Sequence, residues 1–371
     1  MKKLLLSIVL VIFIIALIGC SDIKKEPTPS KDISLPTATS APKWSKEEWS
    51  ISKPEDQGIH SDFLDKANTR ILDNYPNVYS FLVVRNGYLV YEKYYQGMSE
   101  NNSNPVYSIT KSVMSALTGI AINKHVIQGT SQKVSELIPK YFEDMNNDKK
   151  KDITIEQVLT MSGGLDSVDN SIYEYYLSPD WMAYTLKRPL IYEPGKKFTY
   201  NTGLTQALSN IITEKSKMST LDFANQHLFQ PLNIKNIYWD CDSTNSYGGG
   251  AGLHMTPRDM AKFGYLYLKK GNWDGRQIIP EEWVATSTRK HIRADQGRDY
   301  GYLFWINQMY AGTTGVKYDT YSAIGAGGQK IIVVPQLDLV VVITANINSS
   351  SLDSSDDDRL VADYVLPGII K

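Results

Sequence analysis

Cysteine is nearly absent from this chain: among 371 residues only Cys20 and Cys241 occur. Two such distant thiols supply neither a disulfide framework nor a cysteine-rich metal site, so stability has to come from packing. Histidine is scarce as well, with His60, His125, His227, His254 and His291 scattered along the chain. No His-Glu-x-x-His and no Gly-x-Ser-x-Gly elbow is found, which removes the usual signatures of zinc peptidases and of Ser-His-Asp hydrolases. His254 is read as structural. Asp144 to Asp148 imitates the start of a calcium loop, but Lys149 stands where the turn needs glycine and Ile155 where the closing carboxylate belongs. No metal and no cofactor is therefore expected. An excess of one charge is missing too, with 40 acidic and 39 basic residues and a formal net charge of -1. Without a basic stripe, a nucleic-acid partner is excluded.

What is present begins with an apolar run. Lys2 and Lys3 precede Leu4 to Ile18, broken only by Ser7, and Leu17-Ile18-Gly19-Cys20 follows. The run is shorter than the roughly 20 residues of a spanning helix, and the small Gly19 suits cleavage. This ending resembles a bacterial lipoprotein lipobox. It implies a signal peptide over residues 1–19, lipidation of Cys20, and a protein anchored outside the cytoplasm on the bacterial cell membrane. Pro27, Pro29, Pro36 and Pro42 then lie among Ser, Thr and Lys, so residues 20–43 read as a disordered tether.

Residues 44–371 are expected to form the folded body, since 42% hydrophobic content over that length can bury a large core. Two β-rich runs, Ser80 to Val84 and Tyr88 to Tyr91, flank Asn86-Gly87, a strong signal for a tight hairpin. A second antiparallel pair is read at Lys330 to Val334 and Leu339 to Thr344. Between them the pattern is mostly helical, with Val113, Leu117, Ile120 and Ala121 at helical spacing and Ile155, Val158 and Leu159 after Thr154. The fold class follows: α+β, an antiparallel sheet made from both chain ends, flanked by helices, with an inserted mainly helical lobe at roughly residues 112–250 and a cleft between.

Three short boxes carry the chemistry. In Tyr107-Ser108-Ile109-Thr110-Lys111, serine and lysine share one face of a helix start, and the serine sits at the positive end of the helix dipole. The same Ser-x-x-Lys spacing recurs at Ser21/Lys24, Ser40/Lys43, Ser50/Lys53 and Ser287/Lys290, but only Ser108 opens a long apolar helix. The competing reading of Ser108 is an ordinary helix-capping serine. The second box is Tyr200-Asn201-Thr202-Gly203, where a phenol can relay protons if a cation such as Lys111 stands near. Against it stands the abundance of tyrosine, 24 residues in all. The third is Ala323-Ile324-Gly325-Ala326-Gly327-Gly328-Gln329, glycines at a strand edge that admit another backbone or a substrate.

Taken in order, the three boxes resemble the serine β-lactamase and penicillin-binding superfamily, in particular its class C-like esterases, amidases and D-peptidases. Leu159 to Leu165 and Gly248 to Ala261 look like stretches of the same family. The resemblance implies that Ser108 is acylated, Lys111 assists its activation and Tyr200 exchanges protons with the leaving group and then water. It implies an oxyanion hole from the backbone amides of Ser108 and Ala326, beside Gly325. Thr202 takes the place where many members carry the Asn of Tyr-x-Asn. The third box departs from the family's Lys-Thr-Gly or His-x-Gly, so the carboxylate-binding cation is missing. Small esters, amides or peptide-like molecules are the expected substrates, similar to those of 6-aminohexanoate-dimer hydrolase-like members. The alternatives are a D,D-carboxypeptidase or β-lactamase, and a lipoprotein that binds such molecules as a sensor without turnover.

Overall fold

The computed structural model describes residues 49–145, 148–294, 297–347 and 358–370. The expected leader, Cys20 and the tether lie outside these residues. Both expected strand pairs are present, and their turns explain why. Val78–Arg85 and Tyr88–Tyr94 are joined by Asn86 and Gly87, with φ of 51° and 85°. Both central residues thus adopt the left-handed region that a tight hairpin requires and that asparagine and glycine tolerate best. Gln329–Val334 and Leu339–Ala345 are linked by a short 3-10 turn that ends on Asp338 with φ 47°.

These four strands form one part of an eight-stranded sheet. Its order is Tyr88–Tyr94, Val78–Arg85, Leu339–Ala345, Gln329–Val334, Lys317–Gly325, Trp305–Tyr310, Asp299–Tyr300 and Ile292–Arg293, paired antiparallel throughout. The first and last thirds of the chain therefore meet in the middle of the sheet, as the sequence suggests.

The central strands are buried on both faces, which is why they read as continuous apolar runs. Leu339, Val341 and Ile343 face one core cluster, and Val340 and Val342 face the other. That alternation is the two-residue period of a strand. One face is covered by the helix Ser61–Asn74 together with the chain's last segment. Backbone bonds from His60 N to Gly368 O (2.8 Å) and from Ile370 N to Gly58 O (2.9 Å) tie these two together. The other face receives the helices Ile109–Asn123 and Pro257–Leu268. The second of these lies so close that a Cβ on Gly264 would fall 2.6 Å from Ile331 and 2.7 Å from Val340.

The segment between these helices is mainly helical, including Ile155–Leu159, Ile172–Leu177, Trp181–Lys187 and Gln206–Ser216. Thr154 starts the first of them with a capping box, accepting from Gln157 N while the Gln157 side chain accepts from Thr154 N.

Residues 348–357 lie outside the described residues, and Asp358, which follows them, is held at the sheet. Its carboxylate pairs at 2.6 Å with Lys330 Nζ, whose side chain is 0% exposed, and at 3.3 Å with Arg298. A lysine in the middle of a sheet demands such a partner, because burying an isolated ammonium is costly.

Candidate active site

The helix Ile109–Asn123 is buried on nearly all sides through Ala121, so its position is fixed by packing rather than by its own propensity. Just before it, Tyr107 takes φ 48°, a left-handed conformation that a bulky residue adopts only when its surroundings enforce it. Two contacts do so. The Thr110 hydroxyl donates to Tyr107 O at 2.6 Å, and Val106 N donates to Leu253 O at 2.9 Å. Ser108 follows in helical conformation, and its side chain makes no capping bond. The capping role is therefore not what this hydroxyl does.

Its partner is Lys111, whose Nζ lies 2.9 Å from Ser108 Oγ. Lys111 is 1% exposed and approaches two further oxygens, Gly250 O at 2.7 Å and Thr202 Oγ1 at 3.1 Å. Burial pulls its ammonium down to about 8, against the opposing pull of the Asp169 carboxylate. The amine can thus lose its proton within a few units of neutrality.

Tyr200 closes the triangle. Lys111 Nζ stands 4.8 Å from the centre of its ring, and the Ser108 hydroxyl is close enough to pull the phenol's pKa down. Burial drives the phenol well above its ordinary value, which the Ser108 contact opposes and the Asp169 charge reinforces. It is therefore a neutral hydrogen donor at the site rather than the phenolate that a neighbouring cation was expected to stabilise. Trp305 stacks on it, with ring centres 6.0 Å apart and planes at 22°, and Tyr300 packs edge-on against Trp305 at 4.9 Å.

The residue between Tyr200 and Thr202 has a separate task. Asn201 Oδ1 accepts from Gly203 N at 3.1 Å, Leu204 N at 3.2 Å and Val168 N at 3.5 Å, and its Nδ2 donates to Asp166 O at 3.2 Å. It binds the second box to the segment around residues 166–169. Thr202 does the same more tightly. Its N–H donates to Asp169 Oδ2 at 2.7 Å and its hydroxyl to Asp169 Oδ1 at 2.6 Å.

The third box lies where the sequence suggests, at the end of Lys317–Gly325 and in the turn before Gln329. Pairing with the strand Trp305–Tyr310 stops at Ser322, so Ala323 to Gly325 extend past that partner. A Cβ on Gly325 would fall 2.2 Å from Val106 O. Glycine here lets the strand end, and Ala326 after it, come up to the turn that carries Ser108. Gly250 is equally constrained, since a Cβ on it would meet Thr202 O at 2.3 Å.

Ser108, Lys111, Tyr200 and Thr202 are thus brought together, with Gly325 at the same turn. His254 lies on the strand Leu253–Met255, its ring against Tyr238 and its Nε2 3.8 Å from Asp240. Three participants were not foreseen: Asp169, Gly250 O and Trp305. Gly250 falls in a glycine run that stands out in the sequence. Nothing in the residues near 169 points to position 202. Among the described residues no group of His, Cys, Asp and Glu is arranged to hold a metal ion, and no helix is long and apolar enough to cross a membrane.

Comparison with known proteins agrees with this fold. The profile of the family described as Beta-lactamase matches residues 76–366. The 6-aminohexanoate-dimer hydrolase of Paenarthrobacter ureafaciens is 21% identical over 279 residues, covering 71% of this chain and 71% of that protein. A Bacillus anthracis structure assigned as a 6-aminohexanoate-dimer hydrolase superposes with a TM-score of 0.68 at 21% identity, over 85% of each chain. EstCE1, a hydrolase with promiscuous acyltransferase activity, superposes with a TM-score of 0.67 at 16% identity, covering 82% of this chain and 98% of that one.

Proposed function

The chain belongs to the Beta-lactamase family, and from that premise we propose that it is a serine hydrolase which cleaves small esters or amides through an acyl-enzyme on Ser108. The observation that carries this reading is the 2.9 Å approach of a fully buried lysine amine to the Ser108 hydroxyl. A hydroxyl attacks only when a base takes its proton, and a lysine lowered to about 8 is such a base.

In acylation the Ser108 proton passes to neutral Lys111 as Oγ bonds to the acyl carbon. The carbonyl oxygen, now negative, lies against the backbone amides of Ser108 and Ala326 at the positive end of the helix Ile109–Asn123. Tyr200 gives its proton to the departing alcohol or amine and regains one from Lys111. In deacylation water adds to the acyl carbon as its proton passes by way of Tyr200 to Lys111, and the Ser108–acyl bond breaks as Ser108 Oγ takes a proton back from Lys111. The position of Gly325 against Val106 supports this placement of the oxyanion donors.

A neutral acyl group suits the site better than a carboxylate. The third box carries Ala323, Ile324 and Gly325, and Lys330, opposite Ile324 in the register, is buried against Asp358. This favours small esters and amides without a carboxylate over penicillins and D-Ala peptides.

The deciding experiment follows a chromogenic short-chain ester with purified protein. Product released well beyond one equivalent is expected; a single burst rejects the hydrolase and leaves a sensor that stays acylated. Ser108→Ala should abolish turnover while keeping stability within about 1 kcal/mol, because the residue is placed for reaction rather than packing.

The anchor is a separate proposal resting on the leader's sequence. Lipid on Cys20 would hold the hydrolase at the outer face of the cell membrane. Cys20→Ser should move the protein out of the membrane fraction, and unchanged partitioning in that variant would reject the anchor.

A further inference from the structure

The Lys111 amine faces more oxygens than a neutral amine can serve in one way only. It lies near Gly250 O, Thr202 Oγ1 and Ser108 Oγ at 2.7, 3.1 and 2.9 Å. An ammonium satisfies all three by donating three hydrogens. The neutral base has two hydrogens and one lone pair, and only one arrangement leaves that lone pair for Ser108. Gly250 O, a carbonyl, takes the first hydrogen without choice. The second must go to Thr202 Oγ1, which requires the threonine's own proton to point elsewhere.

Asp169 provides that other direction. Its Oδ1 lies 2.6 Å from Thr202 Oγ1, a distance typical of a hydroxyl donating to a carboxylate. Its Oδ2 accepts from Thr202 N at 2.7 Å and from Ser167 Oγ at 2.8 Å, so the carboxylate cannot turn without losing several bonds at once. Ser167 also accepts from Asp169 N at 3.0 Å, which fixes the aspartate's backbone. Asp169 reaches the base through Thr202, which lies between the two.

Resting on the reading of Ser108 as nucleophile, we infer that Asp169 is a positioning residue that makes Thr202 a hydrogen-bond acceptor toward Lys111 and so reserves the lysine lone pair for the serine proton. In Asp169→Asn the side-chain oxygen is needed by Thr202 N–H, which can only donate. The amide nitrogen then faces Thr202 Oγ1 and donates to it. The threonine proton turns toward Lys111 and occupies the lone pair, so the polarity of the relay is reversed by the exchange of one oxygen for nitrogen.

The titratable groups facing Lys111 are Asp169 and Tyr200, from two different segments of the helical region. Removing the Asp169 charge removes an interaction that favours the ammonium. The rising limb of activity against pH should therefore shift to lower pH in Asp169→Asn, while the plateau falls. A simple loss of folding lowers the plateau but leaves the limb where it was.

The test measures the rate at which an alkyl fluorophosphonate labels Ser108 from pH 5 to 10, alongside ester kcat/KM. Wild type, Asp169→Asn, Thr202→Ser, Thr202→Val and the double variant Asp169→Asn with Thr202→Val are compared, each checked by thermal melting. Asp169→Asn is expected to lower the plateau roughly ten- to a hundredfold, within the range of a general-base contribution. Thr202→Ser, which keeps the hydroxyl, should stay close to wild type, and Thr202→Val should fall. Adding Asp169→Asn to Thr202→Val should cost little more at the plateau, because no hydroxyl remains to be reversed.

A wild-type plateau in Asp169→Asn, or full additivity in the double variant, overturns the inference and leaves the hydrolase reading standing. If Asp169→Asn does not fold, the threonine pair decides: equal rates in Thr202→Val and Thr202→Ser overturn it. A wild-type protein that is neither labelled nor active removes the hydrolase reading itself, and this inference with it.

Discussion

At the scale of single residues, Lys111 shows how the proposed role of a base and the stability of the fold oppose each other. A lysine lowered from 10.5 to about 8 in the folded protein keeps its proton in the unfolded chain through the window between those values. The unfolded state then binds more protons, so stability rises with pH from about 8 to 10.5 and the full penalty is present below that window. Lys111→Met removes the buried charge. It should abolish turnover yet raise stability at pH 7 by about 1–3 kcal/mol, with the difference shrinking toward pH 10. Denaturant titrations at the two pH values check this; a less stable variant at pH 7 would show that the three hydrogen bonds outweigh the desolvation. In the wild type the same group predicts that kcat/KM rises through a midpoint near 8.

These residue-level features were unevenly legible in the sequence. Ser108 and Lys111 could be paired because a helix fixes which side chains share a face, so spacing alone carries the geometry. Tyr200 and Gly325 carry no such local rule and were found through a resemblance between boxes. Asp169 was missed for the same physical reason. Its contact with Thr202 spans 33 positions and depends on how a turn packs, which no periodicity records.

At the scale of elements, the site depends on how short segments are fastened to one another. The segment carrying Asp169 belongs to a four-residue 3-10 turn, Val168–Ser171, which has little stability of its own. Asn201 holds it, with one side-chain oxygen shared by three backbone donors. Asn201→Ala would leave those buried N–H groups without that acceptor, at a cost of about 2–3 kcal/mol. Because Thr202 and Asp169 shift together, turnover should fall at least as steeply as stability. Melting and ester kinetics on the one variant measure both, and undiminished stability would mean that the turn is held by packing alone.

The elements also separate what a pattern can disclose from what it conceals. Helices and the central strands stood out because their buried faces repeat. The strands Trp305–Tyr310 and Lys317–Gly325 did not, since they mix Asn, Gln, Lys, Asp and Thr with aromatics and lie toward the sheet's less buried side. Yet these two supply Trp305 behind Tyr200 and Gly325 behind Ser108. Strands with polar exposed positions carry a weaker signal of burial, so the sequence is least legible beside the candidate site.

At the scale of the whole molecule, the helix Ser61–Asn74 and residues 358–370 close over the face of the sheet opposite the site. Leu360, Val361, Val365 and Leu366 fill the same core as Leu64, Ala67 and Ile71 of the first helix. Asp358 stands at the head of this last segment and fastens it to Lys330 in the middle of the sheet and to Arg298, which lies 5.8 Å from the centre of the Trp305 ring. One carboxylate thus links the chain terminus to the aromatic wall of the site. Asp358→Ala would take a carboxylate away from a wholly buried ammonium, and breaking a buried pair typically costs about 3 kcal/mol or more. Asp358→Asn keeps one acceptor for Lys330 and should lose less. If the link reaches the site, Asp358→Ala should also lower kcat for the ester, with tryptophan fluorescence altered before global unfolding begins. Loss of stability with kcat unchanged would confine Asp358 to holding the terminus.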